Sequence, residues 1–385
     1  MKVLVAGAGI AGLTLVSALA KSGIAIDVAE HATQLHAVGA GIILQPNGMT
    51  VLRALGFDDD VLRCGSAITH MTHSRNGHAV SLPLDVIWNG SLAPTAGIRR
   101  SDLQTLLLRR AERLPEVRIA YGLSVAGLRE RGDRVAVRFT DETAGDYDLV
   151  VGADGVNSRV RQLLFPSSQP APTGLQWWRM IAVRPRAMAA GEWVSADGPD
   201  GSFGIYPIGR GVVHSHVMFR GFVPPCPPGT ERSYLEDVVA RWHPLIGDVI
   251  RARRIQPHFG VPMMVRPPVW GTGRSILIGD AAHAIAPTLS QGGSLAMEDA
   301  YALAMLLRNG GPERLVERFT ALREPSVSWA LKMATAQVNA HHRDTAVAQP
   351  PAGAGFALRY MQRMYAPLVA HSAELLALPK VAQAL

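Results

Sequence analysis

The sequence is poor in several features that would fix a function at once. Its 385 residues hold two cysteines, Cys64 and Cys226. They are too few and too far apart for a disulfide framework or a thiolate metal cluster, and read as reduced thiols in a cytoplasmic protein. There is no zinc-type Cys/His spacing and no nucleophile elbow, so neither a metal nor an acyl-enzyme is expected. No apolar run reaches the ~18 residues a membrane span needs. The opening Lys and apolar run resemble a signal peptide only superficially. Gly7, Gly9 and Gly12 interrupt the run, and a turn and strand follow where a cleavage site belongs. The net charge of +7 is mild and its arginines are scattered. With no basic face interleaved with aromatics, nucleic acid is not an expected partner, whereas a mild positive field suits an anionic cofactor or substrate.

What is present is an ordinary globular composition, 48% hydrophobic and 18% charged, without repeats or low-complexity tracts. Single cores rarely exceed roughly 250 to 300 residues, so two lobes are expected. Residues 1–30 read as strand, Gly-rich turn, helix, strand, the helix being closed by Gly23. "NGMTVLRALG" and "RRSDLQTLLLRRAERL" read as helices, the second capped by Ser101 or Asp102. Short strands follow to "YDLVVGADG". From about 168 to 268 the pattern turns alternating and β-rich between Gly and Pro turns, and after "SILIGDAAH" it is helical to about 345. "QPPAGAG" then precedes a last helical segment. The expected organisation is an α/β fold. A Rossmann-like nucleotide-binding domain spans 1–165 and 270–345, an antiparallel β-sheet domain 166–269, and a C-terminal helical segment 346–385.

Three glycine signatures carry the chemistry. "GAGIAG" follows a strand and opens a helix. Gly7 permits the tight turn, Gly9 lets a pyrophosphate approach the backbone, and Gly12 lets helix and strand pack closely. The helix start offers free N–H groups to the phosphates, and Glu30 ends the second strand where a carboxylate accepts from ribose hydroxyls. "GADGVNSRVR" places Asp154 and Gly155 after a buried strand, either at a cofactor or as a plain turn with a capping Asp. Arg159 and Arg161 are either phosphate contacts or surface charges. "GDAAHAIAPTLSQGGSLAMEDA" sets Gly279 and Asp280 at the end of another buried strand. Ala296, Glu298 and Asp299 read as ordinary helix packing and solvation.

In this order, and joined by "VGAGI" and "IRRSDL", these motifs resemble the single-component FAD-dependent aromatic hydroxylases, with a p-hydroxybenzoate-hydroxylase-like fold, over about residues 1–345. The resemblance implies FAD as cofactor and NAD(P)H as co-substrate. NAD(P)H reduces the flavin, O2 forms a flavin hydroperoxide, and the distal oxygen passes to an aromatic or heteroaromatic small molecule. It also implies that Asp154 and Gly155 lie near the pyrophosphate, and that Asp280 accepts from the ribityl hydroxyls. Pro287 through Gly293 would pass the flavin ring, with Gly292 and Gly293 keeping its approach clear. Gly39 and Gly41 would lie beside the ring. Arg100, rather than its neighbour Arg99, aligns with a family arginine at the phosphates or flavin, and Gln104 one turn on would face the flavin. His283 belongs to the family pattern and reads as structural. Family members often carry Gly-Gln-Gly where this chain has Ser290-Gln291-Gly292, which makes the loop shape by the ring less fixed.

The substrate side is less legible. "VVHSHVMFR" alternates, placing His214, His216, Met218 and Arg220 on one strand face. Either that face lines the substrate cavity, with His214 or His216 as a base and Arg220 pairing a carboxylate, or it is a solvated edge. "LQWWRM" offers Trp177, Trp178 and Arg179 for ring stacking, or a core pair. A flavin reductase or dehydrogenase of related fold, and a non-catalytic flavin-binding protein, are the alternative functions; no halogenase-type Trp-x-Trp-x-Ile-Pro segment is found. The expected partners are an aromatic substrate and O2, in a monomer or homodimer.

Overall fold

The computed structural model describes residues 1–34, 40–75, 78–88, 92–220, 226–253, 255–342 and 354–378. A six-stranded sheet forms one centre. Its order is Gly271–Thr272, Ser275–Leu277, Leu149–Gly152, Lys2–Ala6, Ala25–Glu30, Val117–Tyr121, with every pair parallel except the first. Leu149–Gly152 is apolar throughout, and Lys2–Ala6 and Ser275–Leu277 are apolar after their first residue, as burial on both faces requires. The chain moves outward from Lys2–Ala6 in one direction, then returns and builds in the other. The crevice at such a reversal is where ligands bind in open α/β sheets.

Registers Ala6↔Gly152 and Gly152↔Leu277 align the carboxyl ends of three adjacent strands. The three glycine signatures, more than a hundred residues apart in sequence, therefore emerge side by side. The helix Ile10–Ala18 ends earlier than Gly23, and it packs against the long helix Gly292–Gly310. The helix after "IR" spans Arg100–Ala111 with Arg99 as its N-cap, so neither Ser101 nor Asp102 caps it. Strand Ala96–Arg99 runs directly into it, and the Arg100 N–H donates to Ala40 O at 2.9 Å, which satisfies the first turn by other means.

A seven-stranded sheet forms the second centre. Its order is His258–Gly260, Gln176–Val183, Val212–Phe219, Gly201–Pro207, Glu192–Gly198, His70–Arg75, His78–Pro83. The β-rich region expected over 166–269 thus borrows a hairpin from 70–83, attached by a parallel pairing of Glu192–Gly198 with His70–Arg75. One face of this sheet buries Trp178, Met180, Phe203, Ile205, Val213 and Val217 beneath the helices Glu231–Val238 and Pro244–Arg251. The opposite face turns toward the nucleotide-type lobe. Helices Leu315–His342 and Ala354–Leu376 close the molecule. Among the described residues no helix is long and apolar enough to cross a membrane.

Candidate active site

The first signature forms a cradle. Gly7 adopts φ +106°, and a Cβ there would sit 2.5 Å from Ala153 O, while one on Gly12 would sit 2.1 Å from Gly7 O. A Cβ on Gly9 would meet nothing within 4 Å. That open point lies at the start of a helix with no side-chain cap, so the first N–H groups have no side-chain partner. A pyrophosphate fits such a place. Glu30 is buried at the end of its strand and accepts the Ala8 N–H at 2.7 Å and the Ala32 N–H at 2.9 Å. A carboxylate has lone pairs beyond these for ribose hydroxyls. Gln104 Nε2 donates to Ala8 O at 2.9 Å and props the same turn.

The Asp154 carboxylate is spent on its own helix. It accepts from Ser158 Oγ at 2.5 Å and from the backbone N–H groups of Arg159 and Val160 at 2.7 and 3.1 Å. Burial pushes its carboxyl upward, opposed by those donors. Gly155, at φ +76°, makes the turn, and a Cβ there would meet nothing within 4 Å. Arg159 is exposed, whereas Arg161 is neither a phosphate contact nor a surface charge. It is fully buried, and its guanidinium donates to Ala281 O at 2.9 Å, Val156 O at 2.5 Å and Ser168 O at 3.2 Å. It staples the Asp-Gly turn to the Gly-Asp turn.

Gly279 (φ +59°) places Asp280 at the head of a four-residue helix, with the carboxylate exposed and unpartnered among the described residues. Behind it lies a charged network that reading as solvated helix misses. His283 Nε2 and Asp299 Oδ2 are 2.5 Å apart, and Asp299 also accepts the Gly279 N–H at 2.9 Å and Arg323 Nε at 2.7 Å. Arg323 reaches Glu298 at 3.0 Å, and Ser372 Oγ donates to Glu298 at 2.6 Å. All five side chains are at most 1% exposed. Burial would raise the Asp299 carboxyl, but His283 and Arg323 outweigh it and hold it at about 2. The signal missed was pairing between residues 16 to 74 positions apart.

Pro287 opens a short 3-10 turn, and Ser290 then adopts φ +53°, a left-handed conformation that favours glycine. The departure from Gly-Gln-Gly is thus accommodated with a serine in a glycine-type conformation. Gln45 and Asn47 hold this loop through Ser294 and Gln291. A Cβ on Gly292 would make only ordinary contacts, near Asp280, while one on Gly293 would press 2.7 Å from Ile42 Cδ1. Gly41 lies opposite Arg99, in the strand Gly41–Leu44, and its N–H donates to His214 Nδ1 at 2.9 Å. Gly39 lies outside the described residues. Arg100 is exposed at the head of its helix.

His214 and His216 are not on a solvated edge. Their strand is internal to the seven-stranded sheet, and His214 is 1% exposed. Burial first, then His216 and Arg179, hold the His214 imidazole well below the usual histidine range; burial lowers His216 to about 4. Trp177 and Arg179 share their face, with the Arg179 guanidinium 5.3 Å from the Trp177 ring, while Trp178 faces the core. Arg220 follows the end of the strand, six residues and about 20 Å from His214 at ordinary strand rise. The histidine it acts on is His341 of the helix Leu315–His342, so it is not brought to this cluster.

Comparison with known proteins fits this geometry. Residues 1–334 match the FAD binding domain family model. The chain is 34% identical over 341 residues to 3-amino-4-hydroxybenzoate 2-monooxygenase of Streptomyces cremeus, covering 84% of each chain. It is 33% identical over 311 residues to aurachin C monooxygenase/isomerase of Stigmatella aurantiaca, covering 80% of each. The solved structure of Klebsiella pneumoniae HpxO complexed with FAD and uric acid superposes with a TM-score of 0.80 at 24% identity, covering 98% of this chain and 96% of that one. The aligned glycine turns, the open cradle and these relatives together make the chain a member of the FAD-dependent aromatic monooxygenase family.

Proposed function

We propose that the protein hydroxylates an aromatic or heteroaromatic small molecule with NAD(P)H and O2, and that FAD lies along the aligned carboxyl ends of the three glycine-bearing strands. The observation that carries the reading is the joint opening of Gly9, the exposed Asp280 carboxylate and Gly292 along one edge. Gly9 and the uncapped helix start receive the pyrophosphate, with Gly7 making the turn and Gly12 the close packing behind it, Glu30 receives the ribose, and Asp280 the ribityl chain. Asp154 and Gly155 act there through the backbone turn that the Asp154 carboxylate caps, and Gln104 through its hold on Ala8. Arg100, Gly41 and the loop from Pro287 to Gly293 border the ring. When bound, FAD supplies hydride acceptance and oxygen activation. The chain's residues position the partners and exclude water from the reacting face.

The chain carries no second Gly-rich fingerprint for the donor, so NADH and NADPH are compared directly. The FAD-loaded protein should oxidise one of them slowly alone and much faster with a true substrate from a panel of aromatic acids, phenols and heteroaromatics, releasing hydroxylated product and little peroxide. Stimulated oxidation yielding only peroxide identifies a ligand rather than the substrate. No stimulation by any compound, with reduced flavin passing electrons to another acceptor, selects the reductase alternative. Asp280→Ala should purify with less flavin and rebind FAD more weakly; full retention removes the ribityl contact.

A further inference from the structure

The sheet face that turns toward Gly41 is rich in donors that lack acceptors. Register places Trp177, Arg179 and Ile181 opposite Met218, His216 and His214, with Gly204 and Tyr206 beside the two histidines. Trp193 lies against Tyr206, ring centroids 6.3 Å apart. Trp177 Nε1, Arg179 Nε and Trp193 Nε1 are buried and have no partner among the described residues. His214 lies on the same face. Because its Nδ1 accepts from Gly41, the neutral ring carries its proton on Nε2 and presents a donor there. Buried donors are normally paired, so three without acceptors on one face mark a place for a molecule that supplies them.

The charges around this face are those of Arg179 and Arg100, because burial keeps His214, His216 and Tyr206 neutral. Arg179 is acted on by Arg100 and Tyr206, His214 by His216 and Arg179, and Tyr206 by Arg179; no carboxylate is among these groups. Asp197, further along the same sheet, pairs with Arg75 at 3.4 Å, and Asp102 faces Arg210 at 3.9 Å. A half-buried guanidinium without a counter-ion is costly until an anion arrives.

We propose that this face is an anion subsite: it takes the aromatic substrate as an anion whose oxygens accept from Arg179, with Trp177 Nε1 and His214 Nε2 donating to further acceptors. His214 is then a hydrogen-bond donor that ties the substrate sheet to the strand Gly41–Leu44, not a base that removes the substrate's proton. Arg179 determines specificity. The assignment rests on the hydroxylase reading, but its test does not need turnover.

The test is ligand binding to the FAD-loaded protein at neutral pH, followed by the change in flavin absorption. The probes are two matched pairs, benzoate with benzamide and quinoline-2-carboxylate with quinoline-2-carboxamide. At least one acid should bind about tenfold or more tighter than its amide, a difference characteristic of a charge-assisted hydrogen bond. Arg179→Met should erase that preference by weakening the acid alone, and Arg179→Lys should keep part of it. Flavin content and melting temperature show whether each variant is folded; if Arg179→Met is not, the wild-type pairs and Arg179→Lys decide. Equal binding of acid and amide, a preference that survives in Arg179→Met, or binding by none of the four probes overturns the subsite. Hydroxylation of neutral compounds without acid preference would sink the subsite and leave the hydroxylase reading standing. Acid preference without ligand-stimulated NAD(P)H oxidation would do the reverse.

Discussion

A methyl group at Gly9 and a methyl group at Gly12 meet different surroundings. At Gly12 it collides with the Gly7 carbonyl 2.1 Å away, inside the protein. At Gly9 the backbone is extended, at φ −77°, and the methyl points into open space. Gly12→Ala should therefore destabilise the apoprotein by about 1–3 kcal/mol, the scale of overpacking a tight contact. Gly9→Ala should leave apoprotein stability within about 0.5 kcal/mol while lowering FAD affinity by an order of magnitude or more. Thermal melts of flavin-stripped protein, paired with FAD fluorescence titrations, separate the two. Equal losses of stability would place Gly9 in packing instead of in a ligand path.

At the scale of elements, one charged cluster binds four of them: the turn helix Asp280–His283, the helices Gly292–Gly310 and Leu315–His342, and the last helix Ala354–Leu376 through Ser372. Asp299→Asn leaves Arg323 without its shortest partner in a dry interior. It should cost about 3–5 kcal/mol, as breaking a buried pair does. Ser372→Ala removes one hydrogen bond to Glu298 and should cost about 1–2 kcal/mol. Chemical denaturation of the three proteins gives the ranking, and a larger loss in Ser372→Ala would mean that the last helix, not the ion cluster, is the main brace. None of this is visible in a local pattern. The Gly-rich turns are legible because each demands a residue type at a fixed offset within a few positions. Glu298 and Asp299 obey the same helical period whether they face water or Arg323, and only the arrival of a helix 24 residues later decides between the two. For the same reason the hairpin His70–Arg75 and His78–Pro83 gives no hint in sequence that it completes a sheet begun a hundred residues later. Alternation correctly put His214 and His216 on one face, yet it cannot tell an edge strand from a central one.

For the whole molecule, the sheet that faces the flavin lobe contains His214 and His216, both kept neutral by burial, His216 at about 4 and His214 lower than usual, and burial also lowers His73 in the same sheet. An unfolded chain would protonate these imidazoles near the ordinary value of about 6.5. The unfolded state therefore binds more protons throughout the window from about 6.5 down to 4, and stability falls as pH falls through it. Asp299 adds a second loss at lower pH. Its stabilisation is complete above its ordinary value and disappears as pH drops through about 2. Melting temperatures measured from pH 8 to pH 4 should decline mainly below 6.5, and His216→Gln should flatten the decline. A profile unchanged in that variant would assign the acid sensitivity to other groups.

The buried Arg161 has a consequence for how the protein is made. Its carbonyl partners come from residues 156 and 168 on one side and from 281 on the other. While the chain is being synthesised, the first fingerprint and the Asp-Gly turn emerge long before the segment that completes the arginine's hydrogen bonds. A nascent chain lacking residue 281 holds a cation in the interior with part of its pairing absent, and the Asp299 cluster that supports Gly279 comes later still. The hydrogen bonds that brace the cradle are accordingly complete only once the segment through residue 299 has been made.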